Sequence, residues 1–142
     1  MPLVTKHFFG LVGLLVVLVG CSDNDGPERR VVNGRVTFQG EPVENGNVRF
    51  RPIEDTPGQM CGGPIHEGEY STKASGGVTV GTHRVEILAY HFKAPPGVDV
   101  ESLDPDEIIR HAYIPPRYNV QSEIKYTVES GRGPITKDFD LE

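Results

Sequence analysis

The chain has 142 residues, a formal net charge of −6, seventeen glycines, twelve prolines and no tryptophan. Scattered Lys and Arg on an acidic chain argue against a nucleic-acid binder, which presents a basic patch, and against docking on anionic lipid by charge alone. Turn-formers abound and long helical patterns are missing, so short strands must build their core from Val, Ile, Phe, Tyr and Leu.

The first twenty residues read differently from the rest. A basic start at Lys6 and His7 is followed by an apolar run from Phe8 to Gly20, the form of a secretory signal. As a helix those 13 residues span only about 20 Å, short of the ~30 Å hydrocarbon core, which weighs against an uncleaved anchor. An ordinary signal followed by a chance cysteine stays open. Removing residues 1–20 takes away Lys6 alone among Asp, Glu, Lys and Arg and leaves enough chain for one domain. The sequence has two cysteines. Cys21 and Cys61 either form one disulfide or leave Cys61 as a lone thiol in a Gly/Pro loop, with no neighbour placed to activate it.

Residues 22–30 are polar, broken by Gly26-Pro27, and are expected to form a tether reaching at most ~30 Å. The period then becomes two. Val32, Gly34, Val36 and Phe38 share one face of a half-buried strand, and Gln39-Gly40-Glu41-Pro42 and Glu44-Asn45-Gly46 carry turn chemistry. Val48, Phe50 and Pro52 alternate with Arg49 and Arg51; Pro52 either demotes this strand to an edge or marks its exit. Residues 54–64 read as a Gly/Pro loop and 68–72 as a short strand. The strongest strand opens at Gly81, with His83, Val85, Ile87 and Ala89 on its apolar face. Residues 92–121 interrupt the rhythm: a short helix is expected from Asp104 (N-cap) and Pro105 to Arg110, then an extended segment over 114–119. Alternation resumes at Ile124, Tyr126 and Val128, and a last strand ends Phe139-Asp140-Leu141. Six or seven short strands with turns between them predict an all-β, antiparallel β-sandwich.

No pair of histidines shows metal-ligand spacing. His83, on an apolar strand face, reads as a hydrogen-bonded core residue. His91 and His111 flank the insert, and a small hydrolase would need them to converge with an acid. The acids Asp99, Glu101, Asp104, Asp106 and Glu107 lack the order of a calcium loop and read as a solvated run. No nucleophile elbow, phosphate loop or dinucleotide fingerprint is present. The expectation is therefore a non-enzyme without metal or cofactor. Tyr90, Phe92, Tyr113 and Tyr118 flank or sit in the insert; they either cap the open end of the sandwich, or stack on sugar rings or anchor a protein partner, with residues 93–119 as the ligand-facing surface of a carbohydrate- or peptide-binding module. Open sheet edges would allow edge-to-edge dimerisation.

Leu18-Val19-Gly20-Cys21 resembles a bacterial lipobox. The resemblance implies that Cys21 is diacylated on sulfur, cut free at its amino side and acylated again, anchoring the chain in a membrane of the cell envelope. In such lipoproteins the residue after the cysteine helps decide the membrane, and Ser22 rather than Asp favours the outer one. Further on, Gly34-Arg35-Val36 with Gly40-Glu41-Pro42-Val43, then Gly68-Glu69-Tyr70, Gly81-Thr82-His83-Arg84-Val85 and Phe139-Asp140-Leu141 are similar to the carboxypeptidase regulatory-like domains. Val80 and His83 stand where that family has proline and an aromatic. The segment Ile114-Pro115-Pro116-Arg117-Tyr118-Asn119, with Ser122-Glu123-Ile124 after it, is similar to small bacterial lipoproteins carrying one such domain. Over residues 31–142 the resemblance implies a prealbumin-like Greek-key sandwich of about seven strands with an accessory, non-catalytic role: structural, or a module binding an envelope protein or polysaccharide. Transthyretin-like hydrolases of 5-hydroxyisourate end in Tyr-Arg-Gly-Ser, from which Phe139-Asp140-Leu141-Glu142 departs.

Overall fold

Period-two patterning dominates the architecture. The computed structural model describes residues 26–104 and 109–142, and these form strands without any α-helix. In chain order they are β1 (Arg29–Arg30), β2 (Val32–Phe38), β3 (Glu41–Pro42), β4 (Asn45–Pro52), β5 (Cys61–His66) and β6 (Glu69–Ser71), followed by β7 (Val78–Thr79), β8 (Gly81–Lys93), β9 (Ile109–Ala112), β10 (Lys125–Val128), β11 (Ile135–Thr136) and β12 (Phe139–Leu141). Neighbouring strands run in the order β10-β8-β4-β5-β6-β2-β11; β3 and β12 also pair with β2, and β9 with β8. The sheet curls until its two halves face each other around one core, so the chain is an all-β sandwich. Its ladders are antiparallel except at the close, where β11 and β12 lie parallel to β2.

Alternation explains which side chains fill the core. Gly46, Val48 and Phe50 point inward from β4, and His83, Val85, Ile87 and Ala89 from β8. Phe50 is wholly buried. Around it stand Tyr70, Tyr126 and Phe139, each with ring centroids 6.4 Å away, and His83 at 6.3 Å. Burying a large aromatic removes 150–250 Å² from water, and each tilted or edge-on pair adds about 0.5–1.5 kcal/mol. Tyr70 keeps its hydroxyl satisfied by donating to the Lys137 carbonyl at 2.7 Å.

Four sequence expectations change. Residues 54–64 are not all loop: β5 starts at Cys61 and pairs with both β4 and β6. Its Gly62 and Gly63 let two neighbours close in, because a Cβ there would stand 2.0 Å from the carbonyl oxygens of Val48 and Ser71. Most residue types fail at such positions, so a composition that reads as loop serves here as strand. The expected helix from Asp104 is replaced at Ile109 and Arg110 by β9; residues 105–108 lie outside the described residues. β9 forms because β10 covers its edge of β8 only over residues 81–84, leaving residues 90–93 on that same edge to pair with Ile109–Ala112. In the 114–119 segment, Pro116–Tyr118 makes a single 3-10 turn instead of running extended. Finally, Arg29 and Arg30 belong to the domain instead of the tether, held against Thr79 and Val78. Pro52 marks an exit: β4 is flanked on both sides, and Pro52 is its last residue.

Phe50→Ala is expected to lower the unfolding free energy by about 3–5 kcal/mol, read from the urea midpoint. A loss under about 1 kcal/mol would reject Phe50 as the centre of the core.

Candidate functional site

The four aromatics singled out in the sequence divide between the two faces of β8. Tyr113 and Tyr118 pack against the core at one end of the sandwich, both around Phe38 (centroids 6.1 and 6.5 Å). Tyr90 and Phe92 point out from the opposite face, edge to face at 5.4 Å, with the Arg110 guanidinium 5.6 Å from the Tyr90 ring. A cap and an open surface therefore both exist, on different residues.

His91 and His111 meet, being directly opposite in the β8–β9 ladder. The His91 ring stacks on Tyr113, with centroids 4.1 Å apart and planes 13° from parallel. Together with Phe38, Gln39, Glu41, Pro42, Glu44 and Glu67 these rings line a cleft of about 690 Å³. The cleft sits where the β2–β3 and β5–β6 turns come together, and burial, joined by the charge of Glu44, pushes the Tyr113 hydroxyl above its ordinary value. Tyr118 is committed elsewhere: its hydroxyl donates to the Glu142 carbonyl at 2.6 Å and accepts from the Glu142 N–H at 3.0 Å. The sequence missed the cleft because its walls come from four segments, each more than twenty residues from the next. The one local signal was His91, next in register after Ala89 on the apolar face of β8.

Titratable groups with shifted protonation serve the fold. His83 is fully buried, with Nε2 3.2 Å from the Thr79 hydroxyl and Nδ1 3.1 Å from the Gly81 carbonyl. Burial holds it below the ordinary histidine value, and the bond to Gly81 works the other way. Glu86 is 5% exposed on the outer face of β8. The Arg51 hydrogen bond (2.8 Å) holds its carboxyl below the usual range against the cost of burial, and Arg84 adds a second at 2.7 Å. Cys61 is half-buried, and desolvation pushes its thiol up while the charge of Arg29 pulls it down. Its pairing with Cys21 has no structural account, since Cys21 lies outside the described residues.

Of the acidic run, Asp106 and Glu107 also lie outside them. Asp99 accepts the Glu101 N–H at 3.2 Å and the Ser102 hydroxyl at 2.7 Å, a local turn. Among the described residues no group of three or more His, Cys, Asp or Glu is placed to hold a metal, and no helix is long and apolar enough to cross a membrane.

The chain matches no protein-family model, no curated protein and no solved structure.

A histidine held neutral by burial makes stability depend on pH. Below about 6.5 the unfolded chain takes up a proton at this position that the folded chain refuses, so stability is full above that value and falls as pH drops. The Tm of the wild type is expected to fall more between pH 7.5 and 5.5 than that of His83→Gln. Equal losses would show that His83 carries none of this dependence.

Proposed function

We propose that the protein is an exported lipoprotein anchored through Cys21 in a membrane of the cell envelope, carrying one non-catalytic β-sandwich of the carboxypeptidase regulatory-like kind. The observation that carries the anchor is Leu18-Val19-Gly20-Cys21 standing directly after a basic start and an apolar run. That stretch lies outside the described residues. The non-catalytic reading draws on the fate of the reactive side chains. His83 is consumed by the core, Glu86 by two arginines, and His91 by a ring stack. On this reading Ser22 favours the outer membrane, and the domain acts as a structural or binding element of envelope assemblies.

A second reading makes it a module for a carbohydrate or peptide, favoured by the cleft that Tyr113 and His91 share with three glutamates. Stacked rings beside carboxylates suit sugar faces and hydroxyls, or the basic side chains of a peptide.

Intact mass of the mature protein from a membrane fraction is expected to give an N-terminus at Cys21 carrying acyl chains. A soluble product with a Cys21–Cys61 disulfide would overturn the anchor. For the binding module, Tyr113→Ala is expected to abolish retention on isolated cell-wall polysaccharide or on basic peptides while leaving the far-UV spectrum intact. Retention equal to the wild type would remove the cleft from the function. Tyr118→Ala is the poorer test, since it also releases Glu142.

A further inference from the structure

A second cleft, of about 520 Å³, lies at the end of the sandwich where the chain enters it. Arg29, Arg30, Lys73, Asn33 and Ser71 line it together with the 131–134 loop, and none of its lining residues is acidic. The two arginines spend their donors on backbone carbonyls. Arg29 Nη1 reaches Gly77 at 3.2 Å; Arg30 reaches Glu129 at 3.1 Å, Arg132 at 3.0 Å, and Gly133 at 3.0 and 3.2 Å. Carbonyls fix a guanidinium without cancelling its charge. The four ion pairs among the described residues are Arg35–Glu69, Arg51–Glu86, Arg84–Glu86 and Lys125–Glu54; none involves Arg29, Arg30 or Lys73. Glu28 feels the charge of Arg30, but its oxygens accept from Ser130 and the Gly131 N–H. Arg29 and Lys73 thus converge without an ion-pair partner among the described residues, and Arg30 joins them offset only by the nearby Glu28, on a chain whose net charge is −6.

Position decides what such a site meets. Seven residues lie between Cys21 and Arg29, so the two are at most about 29 Å of chain apart. The cleft lined by Glu41, Glu44 and Glu67 lies at the far end of β2, whose Asn33 lines the basic cleft and whose Phe38 lines the acidic one, about 17 Å further along the strand. Basic and acidic clefts therefore sit at the two ends of β2, and the basic one lies beside the tether. A negatively charged leaflet attracts the first and repels the second.

We propose that the Arg29–Arg30–Lys73 cleft receives the phosphate of an anionic lipid headgroup in the leaflet holding Cys21, so that the domain stands with this end on the membrane. The inference rests on the lipoprotein reading above. It adds an orientation: the Tyr113 cleft then faces away from the bilayer.

Lysine acetylation of the reconstituted full-length mature protein, read by peptide mass, tests this. Vesicles one-third phosphatidylglycerol are expected to lower Lys73 labelling about fivefold relative to pure phosphatidylcholine. Salt near 0.5 M should abolish the protection, while Lys93 at the far end of β8 labels alike in both vesicles. Phenylglyoxal labelling of Arg29 should follow Lys73, and needs no variant. Arg29→Gln should reduce the Lys73 protection severalfold. Equal Lys73 labelling in the two vesicles, equal protection of Lys93, or equal protection by inorganic phosphate alone would each overturn the proposal. The same digests report the N-terminal peptide. An acylated chain without Lys73 protection rejects the cleft and keeps the anchor; protection of an unacylated chain by added vesicles does the reverse.

Discussion

Phe50 is the side chain on which the packing converges. Its ring neighbours come from β6, β8, β10 and β12, so one buried residue of β4 touches elements from across the curled sheet. A chain without tryptophan has few ways to fill the space between two facing sheet halves. Here five rings do it, with Tyr70 and Phe139 also 6.0 Å apart. That demand places β4 in the interior of the sheet and requires it to alternate strictly. It also puts a histidine in an apolar centre, where the Thr79 hydroxyl and the Gly81 carbonyl must satisfy both ring nitrogens.

Charge follows a second logic, laid over the first. Lys125, Arg84 and Arg51 stand directly opposite one another across β10, β8 and β4. Like charges so placed repel, and the buried carboxylate of Glu86 between the two arginines relieves them. Glu54 does the same for Lys125, on a far more exposed site. On the outer face, then, cations are cancelled locally. At the tether end Arg29 and Arg30 are held by carbonyls, and only Glu28 offsets any of their charge. The contrast between arginines paired with carboxylates and arginines held by carbonyls, more than their number, distinguishes the two surfaces.

Much of the sandwich was legible wherever apolar residues recur every second position. β2, β4, β8 and β10 all follow from Val, Ile, Phe and Tyr on alternate sites, and His83 was readable as a core residue from its place in that series. β5 was not legible, since Cys-Gly-Gly-Pro carries no periodicity and becomes a strand only because β4 and the backbone at Ser71 crowd against it. β9 was masked by acidic, Pro-rich surroundings; it exists because β8 outruns its partner. The aromatics of the insert were visible as a set, but their division between the two faces of β8 depends on the β8–β9 register. Both clefts escaped for the same reason, being assembled from turns distant in sequence. The basic one was further hidden by a composition that is acidic overall.

The parallel docking of β11 and β12 on β2 has a kinetic side. Val36 faces Phe139 across that ladder, and the Asp138 carboxylate that accepts the Arg35 N–H lies 103 residues further on. Contacts of such separation close a large loop and form slowly. As the chain folds, β3 and β6 reach β2 across shorter loops, whereas β11 and β12 reach it only from the far end of the sequence. Until they do, one side of a Val-rich strand stays open to mispairing. The side of β2 that takes β11 and β12 is thus the last to be covered as the sandwich closes.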